Sequence, residues 1–280
     1  MVGISRRHPF HVDALCCHCA IYADMTSLLA LAALSAFAAA RPEIFGGIDV
    51  PVGEFKYVAS LRETEAGPTL CGATLIAPKV LLTSAFCVDL SPNYASIGSH
   101  NSIGDKDGER IKIVKKTVHP MYNDELLDYD IAILELETES KFAPVALNSD
   151  EYGAIEPGTD SWVRGFGYTS FHAKENSPVL LEAKVNIMSN DECNEAVGKT
   201  GKILDSMLCT NVASKGPCDN DYGGPLIIIR DGVEYVAGVS IWTLGCDDPS
   251  LPSVYSRVSV ASDFIKPFLP ETPRIPKPAC

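Results

Sequence analysis

Cys71-Gly72-Ala73-Thr74-Leu75-Ile76 leads through Ala77-Pro78-Lys79 into Val80-Leu81-Leu82-Thr83-Ser84-Ala85-Phe86-Cys87. Two apolar runs of strand length meet at a proline-containing turn. Runs of the same kind recur at residues 69–77, 80–83, 111–118, 131–137, 180–187, 225–229 and 235–241, with the lengths and patterning of strands. Gly104-Asp105, Asp107-Gly108 and Asp231-Gly232 supply turn signals between them. Helical candidates are few: a short capped segment after Asn190-Asp191-Glu192, and residues 261–269 near the end. Many short strands with few helices predict an all-β barrel or sandwich.

The chain has 280 residues, 46% apolar and 21% charged. That is an ordinary globular composition, long enough to bury a core without a metal. A net charge of −13 argues against nucleic acid and against anionic membrane surfaces, and favours a basic partner or none. From Met25 to Ala40 the chain is uncharged. The run is shorter than the roughly 20 apolar residues of a spanning helix. It ends in Ala38-Ala39-Ala40, the small-residue pattern of a signal-peptide cleavage site. Translation starts at Met1, with Arg6 and Arg7 as a positive n-region, or at Met25; either start leaves a mature chain beginning near Arg41, outside the cell. His8, His11, Cys16 and Cys19 have zinc-like spacing but fall within that leader, so no metal and no cofactor is expected. Beyond it stand Cys71, Cys87, Cys193, Cys209, Cys218, Cys246 and Cys280: six able to pair and one left over, as suits a secreted, oxidised domain. The expected organisation is a leader over 1–40, one domain over 41–269 and an extended proline-rich tail over 270–280. No Asn-x-Ser/Thr acceptor is present.

Four stretches stand in order: Ile44-Phe45-Gly46-Gly47, the Cys71 to Cys87 segment, Asp130-Ile131-Ala132-Ile133-Leu134, and Cys218-Asp219-Asn220-Asp221-Tyr222-Gly223-Gly224-Pro225-Leu226. With Gly165-Phe166-Gly167, Ser189-Asn190-Asp191-Glu192-Cys193, Trp242 before Gly245-Cys246, and Val254-Tyr255-Ser256-Arg257-Val258, they resemble the chymotrypsin-like serine proteases from residue 44 to about 269. The resemblance implies two six-stranded antiparallel β-barrels with the site between them, and a short C-terminal helix. It also implies the disulfides Cys71–Cys87, Cys193–Cys209 and Cys218–Cys246.

By the same resemblance the triad is degenerate. Phe86 stands at the position of the general base and Tyr222 at that of the nucleophile, and only the orienting acid remains, as Asp130. A phenyl ring neither accepts nor relays a proton, and a tyrosine hydroxyl with a pKa of about 10 has no base beside it. Loss of triad members costs about 10⁶-fold in turnover. Asn220 replaces a glycine whose amide lines the oxyanion hole, and a lost donor there costs roughly 10²–10³-fold. His100, His119 and His172 are the histidines outside the leader, expected in loops or at the surface, with no role in catalysis.

The specificity pocket departs from the family as well. Its base aligns with Gly216, so no acid selects Lys or Arg. Thr243 and Ser253 replace glycines of the walls, and Ile241 replaces a serine beside them. Larger side chains there crowd the groove where a substrate backbone adds as a strand; neutral drift and selection for a plugged cleft both account for them. Active relatives free the amino group matching Ile44 to pair with the acid matching Asp221. Arg41-Pro42-Glu43 before Ile44 offers no trypsin-type cleavage, so Asp221 is expected in a zymogen-like arrangement.

Among non-enzymes, the chain is most similar to the secreted glucanase inhibitor proteins of plant-pathogenic oomycetes. That resemblance implies binding and inhibition of a plant endo-β-1,3-glucanase in the host apoplast. The competing readings are a regulatory pseudoprotease of an extracellular proteolytic cascade, a surface-binding module and a residual enzyme. The first would favour an added disulfide-rich N-terminal module. The second would favour cationic character or an aromatic platform, whereas the only tryptophans, Trp162 and Trp242, lie in core or pocket motifs. Phe86 and Tyr222 oppose the third.

Overall fold

The computed structural model describes residues 47–149, 152–168, 175–211, 216–218, 220–243, 248 and 251–270. The expected leader, the tail from residue 271, Ile44, His172, Cys246 and Cys280 lie outside these residues. After a two-residue strand β1 (Ile48–Asp49) come β2 (Val58–Arg62), β3 (Cys71–Ala77) and β4 (Val80–Thr83), then helix α1 (Ala85–Asp89), β5 (Tyr94–Ile97), β6 (Glu109–Val118) and β7 (Ala132–Leu136). The second half holds β8 (Ala146–Leu147), β9 (Asp160–Gly165), β10 (Leu181–Met188), helix α2 (Asn190–Val197), β11 (Met207–Asn211), β12 (Pro225–Arg230), β13 (Val233–Thr243), β14 (Ser253–Arg257) and helix α3 (Ser262–Ile265).

Two antiparallel barrels of six strands result. The first closes in the order β2-β3-β4-β7-β6-β5, with β5 returning to pair with β2. The second runs β9-β10-β11-β14-β13-β12 and closes through β12 on β9. Strand β1 adds antiparallel to β10, and β8 lies parallel to β13. Closure leaves no long unpaired edge in either ring. The period-two pattern does this work in β10, where Leu181, Ala183, Val185 and Ile187 are buried while Lys184 points out. Strands β2, β3 and β4 are buried on both faces, which is why β3 and β4 read as continuous apolar runs. One apolar cluster joins Leu61, Leu75, Leu81 and Leu134 of the first barrel to Ile227, Val236 and Val239 of the second.

Turn chemistry sets the registers. Asp231 and Gly232 both have positive φ, at 51° and 77°, and connect Arg230 to Val233, its direct partner across the β12–β13 hairpin. Two consecutive left-handed residues match the twist of the flanking strands. Helix α2 begins with a capping box between Ser189 and Glu192, so it includes Asn190-Asp191-Glu192 rather than following them as expected. Beyond it, the expected 261–269 helix resolves into the single turn of α3 between the 3-10 turns Ser259–Ala261 and Lys266–Phe268. Two disulfides, Cys71–Cys87 and Cys193–Cys209, have Cα–Cα distances of 6.0 and 6.2 Å. Cys218 is also disulfide-bonded.

A buried ionic joint ties the halves together. The guanidinium of Arg164 on β9 reaches Glu182 of β10 at 2.6 Å and Glu234 of β13 at 2.8 Å. Its face lies 3.3 Å from the centre of the Phe55 ring. Tyr57 accepts a hydrogen bond from Arg164 and donates one to Glu234 at 2.8 Å. Phe55 and Tyr57 precede the first barrel, whereas the three charged residues belong to the second.

Candidate functional site

Phe86, Asp130 and Tyr222, the three positions expected to match a triad, come together at the junction of the barrels. Ser84 ends the β4 segment by capping α1, its hydroxyl accepting from the Cys87 amide at 3.2 Å, and this cap sets Phe86 in the first turn. The Phe86 N–H donates to Asp130 Oδ1 at 2.9 Å. Asp130 enters β7 fully buried. Desolvation raises its pKa to about 6, against the lowering effect of the Phe86 and Ala85 amides, and Asp89 raises it further. Its Oδ2 finds no hydrogen-bond partner among the described residues. From the second barrel, the turn before β12 brings Tyr222 edge-on to Phe86, with ring centroids 5.7 Å apart and planes at 81°, a favoured aromatic geometry.

The Tyr222 turn is pressed onto the first barrel. Gly72 N–H donates to Tyr222 O at 2.8 Å. Gly223 has φ +80°, and a Cβ there would fall 2.2 Å from Thr83 Oγ1 and 2.4 Å from Gly72 O. Only glycine fits both constraints. Asn220 takes φ +69°, the left-handed region that asparagine tolerates among non-glycine residues. Its side-chain amide donates to Asn176 Oδ1 at 2.8 Å. This corrects the oxyanion-hole expectation: asparagine keeps both the glycine-like conformation and its own backbone N–H, so the substitution by itself deletes no donor.

Asp221 is buried with its carboxylate in a backbone cradle, Oδ1 accepting from Gly167 N–H at 2.8 Å and Oδ2 from Cys218 N–H at 3.0 Å. A Cβ at Gly165 or Gly167 would fall 2.1 or 2.2 Å from its oxygens. The cradle explains why the Gly165-Phe166-Gly167 motif accompanies the acid. The partner position Ile44 lies outside the described residues.

Of the expected pocket residues, Thr243 and Ser253 are direct partners across β13 and β14. Ser253 is fully buried, and Gly216 is buried just before Pro217 and Cys218. Ile241 packs with Val197, Met207 and Val254 beside the Cys193–Cys209 disulfide. His119 lies in a loop and is buried there between aromatic rings, stacked on Tyr129 at 4.6 Å and edge-on to Phe264 at 4.7 Å. Its Nδ1 accepts from Met121 N–H at 3.2 Å, so that nitrogen is engaged. His100 is half-buried in the loop closed by Asp107. Among the described residues no group of three His, Cys, Asp or Glu side chains is placed to hold a metal ion.

Sequence reasoning missed Arg164 and its partners, and also Arg62. Arg62 is fully buried and donates to Gly104 O at 2.6 Å and Asn101 O at 2.9 Å, bracing the 99–108 loop. A charge closing the apolar strand Val58–Arg62 was the available signal.

Two closed barrels meeting at Phe86, Asp130 and Tyr222 define a protein of the chymotrypsin-like class. The family model described as Trypsin matches residues 44–265, and the chain belongs to that family. Among similar proteins, Glucanase inhibitor protein 3 of Phytophthora sojae is 37% identical over 250 residues, covering 85% of this chain and 94% of the relative. Glucanase inhibitor protein 2 of Phytophthora infestans is 37% identical over 230 residues, covering 80% and 88%. Trypsin 5G1 of Aedes aegypti is 33% identical over 229 residues, covering 80% and 84%.

Proposed function

We propose that the mature chain is a secreted, non-catalytic trypsin-family protein that binds a plant endo-β-1,3-glucanase one-to-one and inhibits it. It acts in the host apoplast and lowers the release of defence-eliciting glucan oligosaccharides. The observation that carries this reading is the likeness to proteins named glucanase inhibitors, at 34–37% identity over at least 80% of the chain. The chemistry of the junction supports it. With Phe86 and Tyr222 beside Asp130, the site offers neither an imidazole base nor a serine nucleophile, and the tyrosine hydroxyl is a poor substitute for either. What remains is a rigid pair of barrels whose loops are free to hold a binding face.

The test is glucan-oligosaccharide release by several plant glucanases, with and without the protein, alongside size-exclusion chromatography. Slowed release together with a one-to-one complex is expected. If no glucanase is slowed at molar excess and no complex appears, the reading fails. Turnover of peptide esters or labelling by a serine-directed phosphonate would overturn its non-catalytic part.

A further inference from the structure

The junction carries an exposed apolar face that the fold does not need. Phe86 is 37% exposed, Leu90 41%, Met121 59% and Leu126 52%. The first two lie on and just after α1, and the others on the loop between β6 and β7. The two segments meet where the Phe86 N–H donates to Asp130 Oδ1 at 2.9 Å, at the end of that loop. Exposed apolar side chains on adjoining segments mark interaction surfaces.

The two segments themselves carry charge of one sign. Residues 84–91 and 119–131 contain Asp89, Asp124, Glu125, Asp128 and Asp130, and no lysine or arginine. Asp89, Asp124 and Glu125 are exposed at the rim. An aromatic side chain within a ring of carboxylates suits a cationic group, which gains both the face of the ring and the charge.

The surface is also held in place. The Phe86 amide is fixed by Asp130, and its ring abuts Tyr222. In the β6–β7 loop, Asn123 and Asp128 exchange backbone hydrogen bonds at 3.0 and 3.2 Å, and the Leu126 amide donates to Asn123 Oδ1 at 2.9 Å. Ser206 donates to Asp128 from the second barrel, and Tyr129 stacks on His119. Leu127 and Tyr129 both hold positive φ, 50° and 48°, an arrangement bulky residues adopt only where their surroundings impose it. A braced surface loses little conformational freedom when a partner docks.

We propose that Phe86, Leu90, Met121 and Leu126, rimmed by Asp89, Asp124 and Glu125, form the docking surface for a basic protein partner, seating one of its arginine or lysine side chains against apolar neighbours. For the glucanase this rests on the inhibitor reading and names its contact face. The hairpin tip of β12 and β13 also exposes Ile229 and Val233, but Arg230 stands among them beside Asp231, and the neighbouring Glu234 is paired with Arg164; it serves as the control site.

The experiment uses mature protein, with melting curves to confirm that each variant folds, and two immobilised probes: a basic plant endo-β-1,3-glucanase and a synthetic peptide of alternating arginine and leucine. Phe86→Ala, Leu126→Ser and the pair Asp124→Lys with Glu125→Lys are each expected to weaken binding at least tenfold. Val233→Ser and Glu156→Lys should leave it within twofold. If folded patch variants bind both probes like the wild type, the surface is overturned while the inhibitor reading stands. If the wild type binds the peptide with this mutational pattern but no glucanase, the surface stands and the inhibitor reading fails. Binding of neither probe overturns both.

Discussion

Asp130 carries the cost of a carboxylate shut away from water. Its pKa of about 6 in the folded chain, against an ordinary 3.8, means that the native state binds a proton first as pH falls. The stability contribution is complete below about pH 4 and is lost as pH rises through 6. The charged form at neutral pH then costs about 3 kcal/mol, two units at roughly 1.4 kcal/mol each. Asp130→Asn keeps an oxygen for the Phe86 and Ala85 amides and removes the charge. It should stabilise the protein by about 2–3 kcal/mol at pH 7.5 and by nothing measurable at pH 4, read from urea unfolding at both values. An equal gain at both would assign the effect to packing. His119 acts in the opposite sense. Burial lowers its pKa while Asp128 opposes the shift, so its contribution is full above the ordinary 6.5 and is lost as pH falls through the lowered value. In the Asp130→Asn background, stability should therefore decline on acidification from pH 6.5. Phe86 and Tyr222 were legible in sequence because the family motifs that include Cys87 and Gly223 fix their places. His119 was not, because its aromatic box takes Phe264 from the far end of the chain.

Strands with a strong apolar pattern, continuous in β4 and β12 and alternating in β10, announced themselves: β4 spans the expected residues, and β10 and β12 differ from expectation by one residue. Others did not. Val58–Arg62 and Asp160–Gly165 are short, diluted by alanine, serine or charge, and are made strands by ring closure rather than by their own pattern. Arg164, Glu182 and Glu234 read as three scattered surface charges. Only the register that sets Glu182 opposite Arg164 turns them into a joint. Arg164→Ala leaves two carboxylates without their cation, and the loss expected is about 3–5 kcal/mol. Arg164→Lys should fall between, since an ammonium keeps the charge but not the planar fork that faces Phe55 and both glutamates. Urea midpoints with unchanged slopes would confirm that only stability has moved.

At the scale of the whole molecule, the charge of −13 bears on encounter rather than on fold. If a basic glucanase is the partner, raising salt should slow association by about tenfold or more and leave dissociation nearly constant, because long-range steering is screened while docked contacts are not. Stopped-flow traces at several salt concentrations separate the two rates. Salt-independent association would remove charge from the account of recognition. The barrel architecture was legible at this scale because the family's motifs are spread along nearly the whole domain. The docking surface was not, because Phe86 in α1 and Leu126 in the β6–β7 loop lie forty residues apart and only the closed first barrel sets their segments side by side at Asp130.

Gly223, wedged between Thr83 Oγ1 and the Gly72 carbonyl, has a wider implication. Much of the fingerprint by which such domains are recognised is masonry: glycines where two barrels touch, a buried acid with two more glycines to make room for it. These letters answer to assembly, whatever stands at position 222. The fingerprint therefore records whether the halves of the molecule fit and carries no information about turnover. Sorting enzymes from retired enzymes in this superfamily falls to the two or three letters that the masonry does not constrain.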